Sequence, residues 1–234
     1  MRVGTWNVAW KHPSRSAGRT MRERLLAEDP EVLCITEADA QFMGSTGHTI
    51  CAEADYGYQL TGNRRKVLLW SRQPWLTHDT LGDPALPPGR FVAGRTLTSA
   101  GPLLVVGVCI PWAAAHVSTG RKDKKRWEDH LAYLDGLHTY LSKLAEPFVL
   151  MGDFNQAVPR RTAPEHVFDA LERAVLAQVE LFTSGDVEPC GYSIDHIAGP
   201  KGSSCSWRKG LHALGAEKEV LSDHFGIIAR LRYS

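Results

Sequence analysis

The sequence is poor in the features that would assign it quickly to a class. It has five cysteines in 234 residues (Cys34, Cys51, Cys109, Cys190 and Cys205), an odd number with no C-x-x-C pair. That argues against a disulfide framework or a zinc ribbon. Three of the five sit in or beside apolar runs and read as small buried hydrophobes in a reducing cytoplasm. Charge of one sign is also missing: Lys+Arg is 27 and Asp+Glu is 26, a formal net charge of +1. A basic coat for nucleic acid is therefore excluded, and any electropositive surface has to be local. Residues 100–115 are uncharged, but they are too few to cross a bilayer and contain Pro102, Gly107 and Pro111. No secretory leader is expected, since Met-Arg-Val-Gly-Thr-Trp-Asn reads as a first strand. Repeats, low-complexity tracts and a dividing linker are lacking. So are a P-loop, a G-x-S-x-G elbow and an H-E-x-x-H helix.

What is present is an ordinary globular composition, 43% hydrophobic and 23% charged, in a length suited to one domain over residues 1–234. Residues 2–8, 31–36, 66–71, 90–98, 102–110 and 148–151 read as strands, with Ser99-Ala100-Gly101 as a hairpin turn. Residues 225–232 alternate as a last strand. Short helices are expected over 20–28 and near 164–176. The strongest helical pattern runs over 121–145, where Trp127, Leu131, Leu134, Leu137, Leu141 and Leu144 recur at three- and four-residue steps before Pro147. Strands outnumber helices and several are hairpin-linked, which predicts an α+β layered fold on largely antiparallel sheets.

Four of the short runs finish at a carboxylate or amide: Val-Gly-Thr-Trp at Asn7, Val-Leu-Cys-Ile-Thr at Glu37, Phe-Val-Leu-Met-Gly at Asp153 with Asn155 beyond it, and Tyr-Ser-Ile at Asp195-His196. Ser222-Asp223-His224 does the reverse and opens the last strand. One such residue would be an ordinary turn or cap. Five together converge at one rim if the strands are neighbours, because an antiparallel last strand begins beside the ends of the others. Clustered carboxylates resist ionisation unless a cation sits among them. Oxygen ligands of this kind suit Mg²⁺ or Mn²⁺, and a histidine oriented by an aspartate stabilises a charged oxygen. The combination suggests hydrolysis at phosphorus.

In this order and spacing, Trp-Asn7, Thr-Glu37, Gly-Asp153-Phe-Asn155, Ile-Asp195-His and Ser-Asp223-His224 resemble the motifs of the endonuclease/exonuclease/phosphatase superfamily, which includes DNase I-like nucleases, apurinic endonucleases, sphingomyelinases and inositol-polyphosphate phosphatases. The resemblance runs from residue 5 to residue 230. It implies a DNase I-like four-layered αββα sandwich with a divalent metal, Mg²⁺ or Mn²⁺, at the rim. It makes Glu37 the principal metal ligand, with Asn7 and Asp223 close to the ion. Asp153 resembles the residue that orients or deprotonates the attacking water, and Asn155 the amide that holds a phosphate oxygen. His224 resembles the phosphate-contacting histidine and Asp195 its orienting partner. The pattern departs at Cys109, where many relatives carry His or Tyr. A thiol is a weak donor, so that contact is either lost or supplied by Trp112 or His116.

The other histidines read as structural: His138 and His166 on helix faces, and His196 despite its place beside Asp195. The run Arg121-Lys122-Asp123-Lys124-Lys125-Arg126 is either a solvated helix start or a phosphate-contacting patch, to which Arg160-Arg161 and Arg64-Arg65-Lys66 could belong. Trp6, Trp70 and Trp127 fit core positions. Trp10, Trp112 and Trp207 fall in or near loops and are either ordinary loop residues or surfaces for base stacking. Cys109, Trp112, Lys125, Arg126 and Arg160 are thus the candidate substrate contacts. The leading expectation is a monomeric, metal-dependent nuclease acting on DNA or RNA. The alternatives are a phosphatase or phosphodiesterase acting on a small or lipid-linked ester, and a catalytically silent domain that binds nucleic acid or protein.

Overall fold

The computed structural model describes residues 1–232. In chain order its elements are β1 (Arg2–Asn7), α1 (Ser16–Ala27), β2 (Val32–Asp39), β3 (His48–Cys51), β4 (Arg64–Ser71), β5 (Trp75–Asp79), β6 (Phe91–Thr98), β7 (Gly101–Cys109), α2 (Glu128–Leu141), β8 (Phe148–Asp153) and α3 (Glu165–Leu171), which continues into a π turn over Glu172–Leu176. Then come β9 (Val179–Leu181), β10 (Asp186–Val187), β11 (Gly191–Tyr192), β12 (Asp195–Pro200), β13 (Ser204–Leu211) and β14 (Gly226–Arg232). Two six-stranded sheets run β13-β14-β1-β2-β4-β3 and β5-β6-β7-β8-β12-β9, beside a small β10-β11 ribbon. All pairings are antiparallel except β1 with β2 and β7 with β8.

Three separate cores show the four layers. Val3, Cys34, Val67, Leu69, Ile227 and Ala229 of the first sheet meet Val92, Val105, Val149, Met151 and Ile197 of the second. Met21 and Leu25 of α1 cover the outer face of the first sheet on Trp6, Leu33, Ile35 and Leu68. Tyr133, Leu134 and Leu137 of α2, with Leu171 of α3, cover the second on Val106, Val108 and Leu150. Central strands are therefore buried on both faces, which is why they read as continuous apolar runs. Each fully buried aliphatic side chain contributes about 1.5–3 kcal/mol of transfer free energy. The expected DNase I-like αββα sandwich is the fold observed.

Several local expectations are corrected. α2 begins at Glu128, not at residue 121, and ends at Leu141, six residues before Pro147. Residues 121–126 are loop: Trp127 has φ of 69°, and the N–H groups of Arg121, Lys124 and Trp127 bond to His116 Nδ1, His116 O and Ala113 O. The physical reason is visible in charge. Cations at the start would oppose the helix dipole, whereas Glu128 and Asp129 in the first turn favour it. Trp127 consequently lies outside the helix, half-buried and edge-on to His130. Trp207 lies on β13 rather than in a loop, and Asp195 opens β12 instead of ending a strand. The short strands β3, β5, β9, β10 and β11, and the longer β13, were not anticipated.

Two glycines allow close approach at the rim. A Cβ on Gly152, where φ is 136°, would sit 2.0 Å from Val108 O, and one on Gly226 would sit 2.5 Å from the Trp6 ring. Only glycine lets β8 close on β7, and β14 on Trp6, at these points.

Candidate active site

The two parallel pairs end at the same rim of the sandwich. β1 and β2 deliver Asn7 and Glu37; β7 and β8 deliver Cys109 and Asp153, which are register partners. β12 runs the other way and starts at Asp195, directly opposite Asp153. β14 also runs antiparallel, so Asp223 and His224 at its entry reach the same place. Ser222 Oγ donates to Asn7 O at 2.7 Å and Trp6 Nε1 donates to His224 O at 2.9 Å, so the two motifs brace each other.

Asn7, Glu37, Lys66, Arg90, Cys109, Trp112, Asp153, Asn155, Asp223 and His224 line a pocket of about 280 Å³. Asp195 stands behind it, 1% exposed. Lys125, Arg126 and Arg160 do not line this pocket; Arg160 Nη1 instead donates to Ala163 O within its own loop. His196 is a satisfied core histidine, as expected, donating from Nε2 to Gln156 O and accepting from Thr183 Oγ1.

Within the pocket each carboxylate has a defined setting. Asp153 accepts Asn7 Nδ2–H at 3.0 Å and the Asn155 N–H at 2.8 Å. Burial, then the charge of Asp195, push its pKa up to about 7. His224 Nδ1 donates to Asp195 Oδ2 at 2.6 Å. Burial alone would lower the His224 pKa, but Asp195, Asp153 and Asp223 outweigh it and raise it to about 10. The imidazolium is therefore the protonated form at neutral pH, with Nε2–H left over. Asn155 donates one amide proton to Ile110 O at 2.8 Å and keeps the second.

Glu37 sits in left-handed backbone, φ 52°, as do Ala9, Trp10 and Asn155. Asn tolerates this conformation; Glu does not without support. The support is the Trp10 N–H, which donates to Glu37 O at 2.7 Å. The Glu37 side chain meets the ammonium of Lys66 at 2.5 Å, between the β2–β4 register pairs Thr36–Val67 and Ala38–Arg65. A positive charge is thus already held where the carboxylates converge. Glu37, Asp153, Asp223 and Asn7 all line the pocket and offer oxygen, the donor type a hard divalent cation takes, although Asn7 Oδ1 already accepts the Ala9 N–H at 3.0 Å. Among the described residues, the acidic and histidine side chains whose ligand atoms all lie within 4.8 Å of one another are Asp153, Asp195 and His224. In that trio, however, Nδ1 is engaged by Asp195 and the imidazolium itself supplies the compensating charge.

Two residues were missed as site residues. Lys66 was read only as part of a basic run. Arg90 precedes β6 and was not singled out. It is 3% exposed, its Nη1 donates to Cys109 O at 3.3 Å, and its Nη2 is buried with no hydrogen-bond partner. No carboxylate pairs with it among the described residues. The Cys109 thiol beside it is pushed up to about 12 by burial, so it brings no negative charge. A charged residue between Pro-Pro-Gly and an apolar strand was the signal available, and it is a weak one.

The Endonuclease/Exonuclease/phosphatase family model matches residues 4–224. Similar solved structures include an AP endonuclease from Archaeoglobus fulgidus, 17% identical with a TM-score of 0.71 over 100% of both chains. A humanized D. rerio TDP2 is 11% identical with a TM-score of 0.70, over 100% of this chain and 99% of that one. The 3' phosphatase NExo from Neisseria, bound to product DNA hairpin, is 16% identical with a TM-score of 0.68 over 100% of both. At these identities the likeness is one of fold. No curated protein sequence matches the chain, and no helix among the described residues is long and apolar enough to cross a membrane.

Proposed function

The chain belongs to the Endonuclease/Exonuclease/phosphatase family of phosphoester hydrolases, and from that premise we propose that it is a Mg²⁺- or Mn²⁺-dependent nuclease that hydrolyses DNA or RNA phosphodiesters in the rim pocket. The observation that carries this reading is the pairing of an oxygen-ligand wall, Asn7, Glu37 and Asp223, with a wall of phosphate-directed donors, Asn155, His224 and Arg90, around one cavity.

The cation would be held by Glu37, Asp223 and Asn7, and it supplies Lewis-acid polarisation and charge neutralisation at phosphorus. The rest is done by the chain. Asn155, with its spare amide proton, and His224 Nε2–H donate to phosphate oxygens whose charge grows during displacement. Arg90 lines the pocket beside Cys109, and its guanidinium suits phosphate better than a thiol does. Asp153, with a pKa near neutrality, accepts the proton of the attacking water. Asp195 fixes the His224 tautomer and keeps it charged.

The test is a panel of single-stranded, duplex and abasic DNA, RNA and simple phosphodiesters with Mg²⁺ or Mn²⁺, each with an EDTA control. Metal-dependent cleavage of a polynucleotide is the expected result. Turnover of small or lipid-linked esters alone moves the assignment to a phosphatase or phosphodiesterase. No metal-dependent turnover of any member leaves a silent binding domain.

A further inference from the structure

Next to the rim pocket lies a second cavity of about 360 Å³ with a different chemistry, in the size range of small-ligand sites. Lys66 and Trp112 line both, so the two are neighbours that share a wall. Its wall is a ladder of rings. Trp10 stacks on Tyr56 at 5.9 Å, Tyr56 meets Tyr58 at 6.0 Å, and Tyr58 stacks on His116 at 4.3 Å. Arg64 and Lys66 lie over the Trp10 ring at 4.9 and 5.0 Å. Trp112 lines the cavity beside the ladder and is 46% exposed.

The ladder is held from both sides. Trp10 has a positive φ and is pinned through its N–H to Glu37 O, so the aromatic wall is fixed to the same backbone that carries the proposed metal ligand. Tyr58 OH accepts the His116 N–H at 3.1 Å, which ties the wall to the loop bearing Trp112. Rings already locked lose little entropy when a planar ligand stacks on them. Cations at the edge favour a ligand that carries negative charge close by.

We propose that this cavity receives the unpaired nucleobase of the nucleotide whose phosphate is cut, with Trp112 and Tyr58 as the stacking surface, so that the enzyme acts on single-stranded or frayed ends rather than on continuous duplex. The inference rests on the rim pocket being the phosphate site. Stacking is tolerant of base identity, since every base offers a π face, so the cavity selects for an accessible base and not for a sequence. A base held inside a duplex cannot enter a concave site without leaving its stack.

The test compares an eight-nucleotide oligo(dT) strand with a strand of equal length and charge built from base-free tetrahydrofuran residues. Binding is read in EDTA by tryptophan fluorescence quenching, and cleavage is read separately with Mg²⁺. The wild-type protein should bind oligo(dT) about tenfold or more tightly than the base-free strand, within the range of base–aromatic stacking. Trp112→Leu and Tyr58→Leu should bring that ratio close to one, and Trp112→Phe, which keeps a ring, should restore most of it. Equal binding of the two strands by the wild-type protein, or an unchanged ratio in both leucine variants, overturns the proposal. If strands are cleaved but bound without regard to their bases, the cavity assignment falls and the nuclease reading stands. If binding depends on bases but no strand is cleaved, the nuclease reading falls and the cavity assignment stands.

Discussion

His224 Nδ1 stands 2.6 Å from Asp195 Oδ2, and the other oxygen of that 1%-exposed carboxylate has no hydrogen-bond partner. The histidine is therefore the group that satisfies Asp195, and the two should act as a unit. Removing a donor to a developing oxyanion costs about 2.7–4 kcal/mol, roughly a hundred- to thousandfold in rate. His224→Ala should lose that much and still bind the metal; Asp195→Asn should also be slow. The double variant should be little worse than His224→Ala. Additive losses would show Asp195 working independently of His224.

Arg90 is buried without a carboxylate partner, so phosphate is the anion that suits it. Arg90→Met should lower kcat/KM by about ten- to a hundredfold, in line with a charged hydrogen bond. Its melting temperature without ligand should stay level or rise, because an uncompensated charge has left the interior. Inorganic phosphate, which should stabilise the wild-type protein in EDTA, should no longer raise it. A variant still stabilised by phosphate would remove Arg90 from the anion site.

The ammonium of Lys66 holds Glu37 at 2.5 Å, and a divalent cation must compete with it. Glu37→Gln should weaken Mn²⁺ binding by calorimetry about ten- to a hundredfold. Lys66→Met should act in the opposite direction and tighten it about tenfold, an effect of ~1.4 kcal/mol that lies well within the Coulomb energy at this range. Unimproved Mn²⁺ binding in Lys66→Met would mean the ammonium moves aside at no cost.

Of the basic loop, Lys124 is engaged by Glu128 and Asp129, and Arg121 by Asp123. Lys122, Lys125 and Arg126 form no ion pair among the described residues and are exposed. Replacing these three by Ser should reduce the slope of log affinity against log salt by about 2, since each phosphate contact to a single strand contributes roughly 0.7. An unchanged slope would identify the run as a solvated loop.

His130 and His196 are neutral in the fold. Burial lowers the pKa of each to about 4 from 6.5. His130 donates from Nδ1 to Pro111 O and accepts from Gln156 Nε2. With folded pKa values depressed, the unfolded chain binds more protons between pH 4 and 6.5. Their contribution to stability is therefore complete above pH 6.5 and falls as the pH drops towards 4, by up to about 3 kcal/mol per histidine. Asp153 acts oppositely: its raised pKa removes stability as the pH rises from 3.8 to about 7. Denaturant titrations across this range should show a slope about one proton smaller in His130→Gln than in the wild-type protein.

The residues at the strand ends were legible from sequence because each closes or precedes a short apolar run, a local pattern that needs no knowledge of neighbours. Asn7, Glu37, Asp153 and the Asp223–His224 pair each announce themselves within about five residues, and their order along the chain supplied the family and its layered fold. The helix expected over 121–145 forms only over Glu128–Leu141, for a related reason. Periodicity saw Trp127 and the leucines but not the left-handed turn at Trp127 or the backbone bonds to His116 and Ala113 that hold residues 121–126 as a loop. What only the tertiary structure decided is which side chains face each other across strands. Lys66 meets Glu37 because β2 and β4 pair in one register, and a slip of one residue would turn every side chain to the other face. Arg90 reaches the pocket because β6 starts beside the end of β7. The ring ladder joins Trp10, Tyr56 and Tyr58 with His116 from three separate segments. Proximity between residues 46 to 106 positions apart is set by sheet pairing and loop closure, which no local sequence pattern encodes.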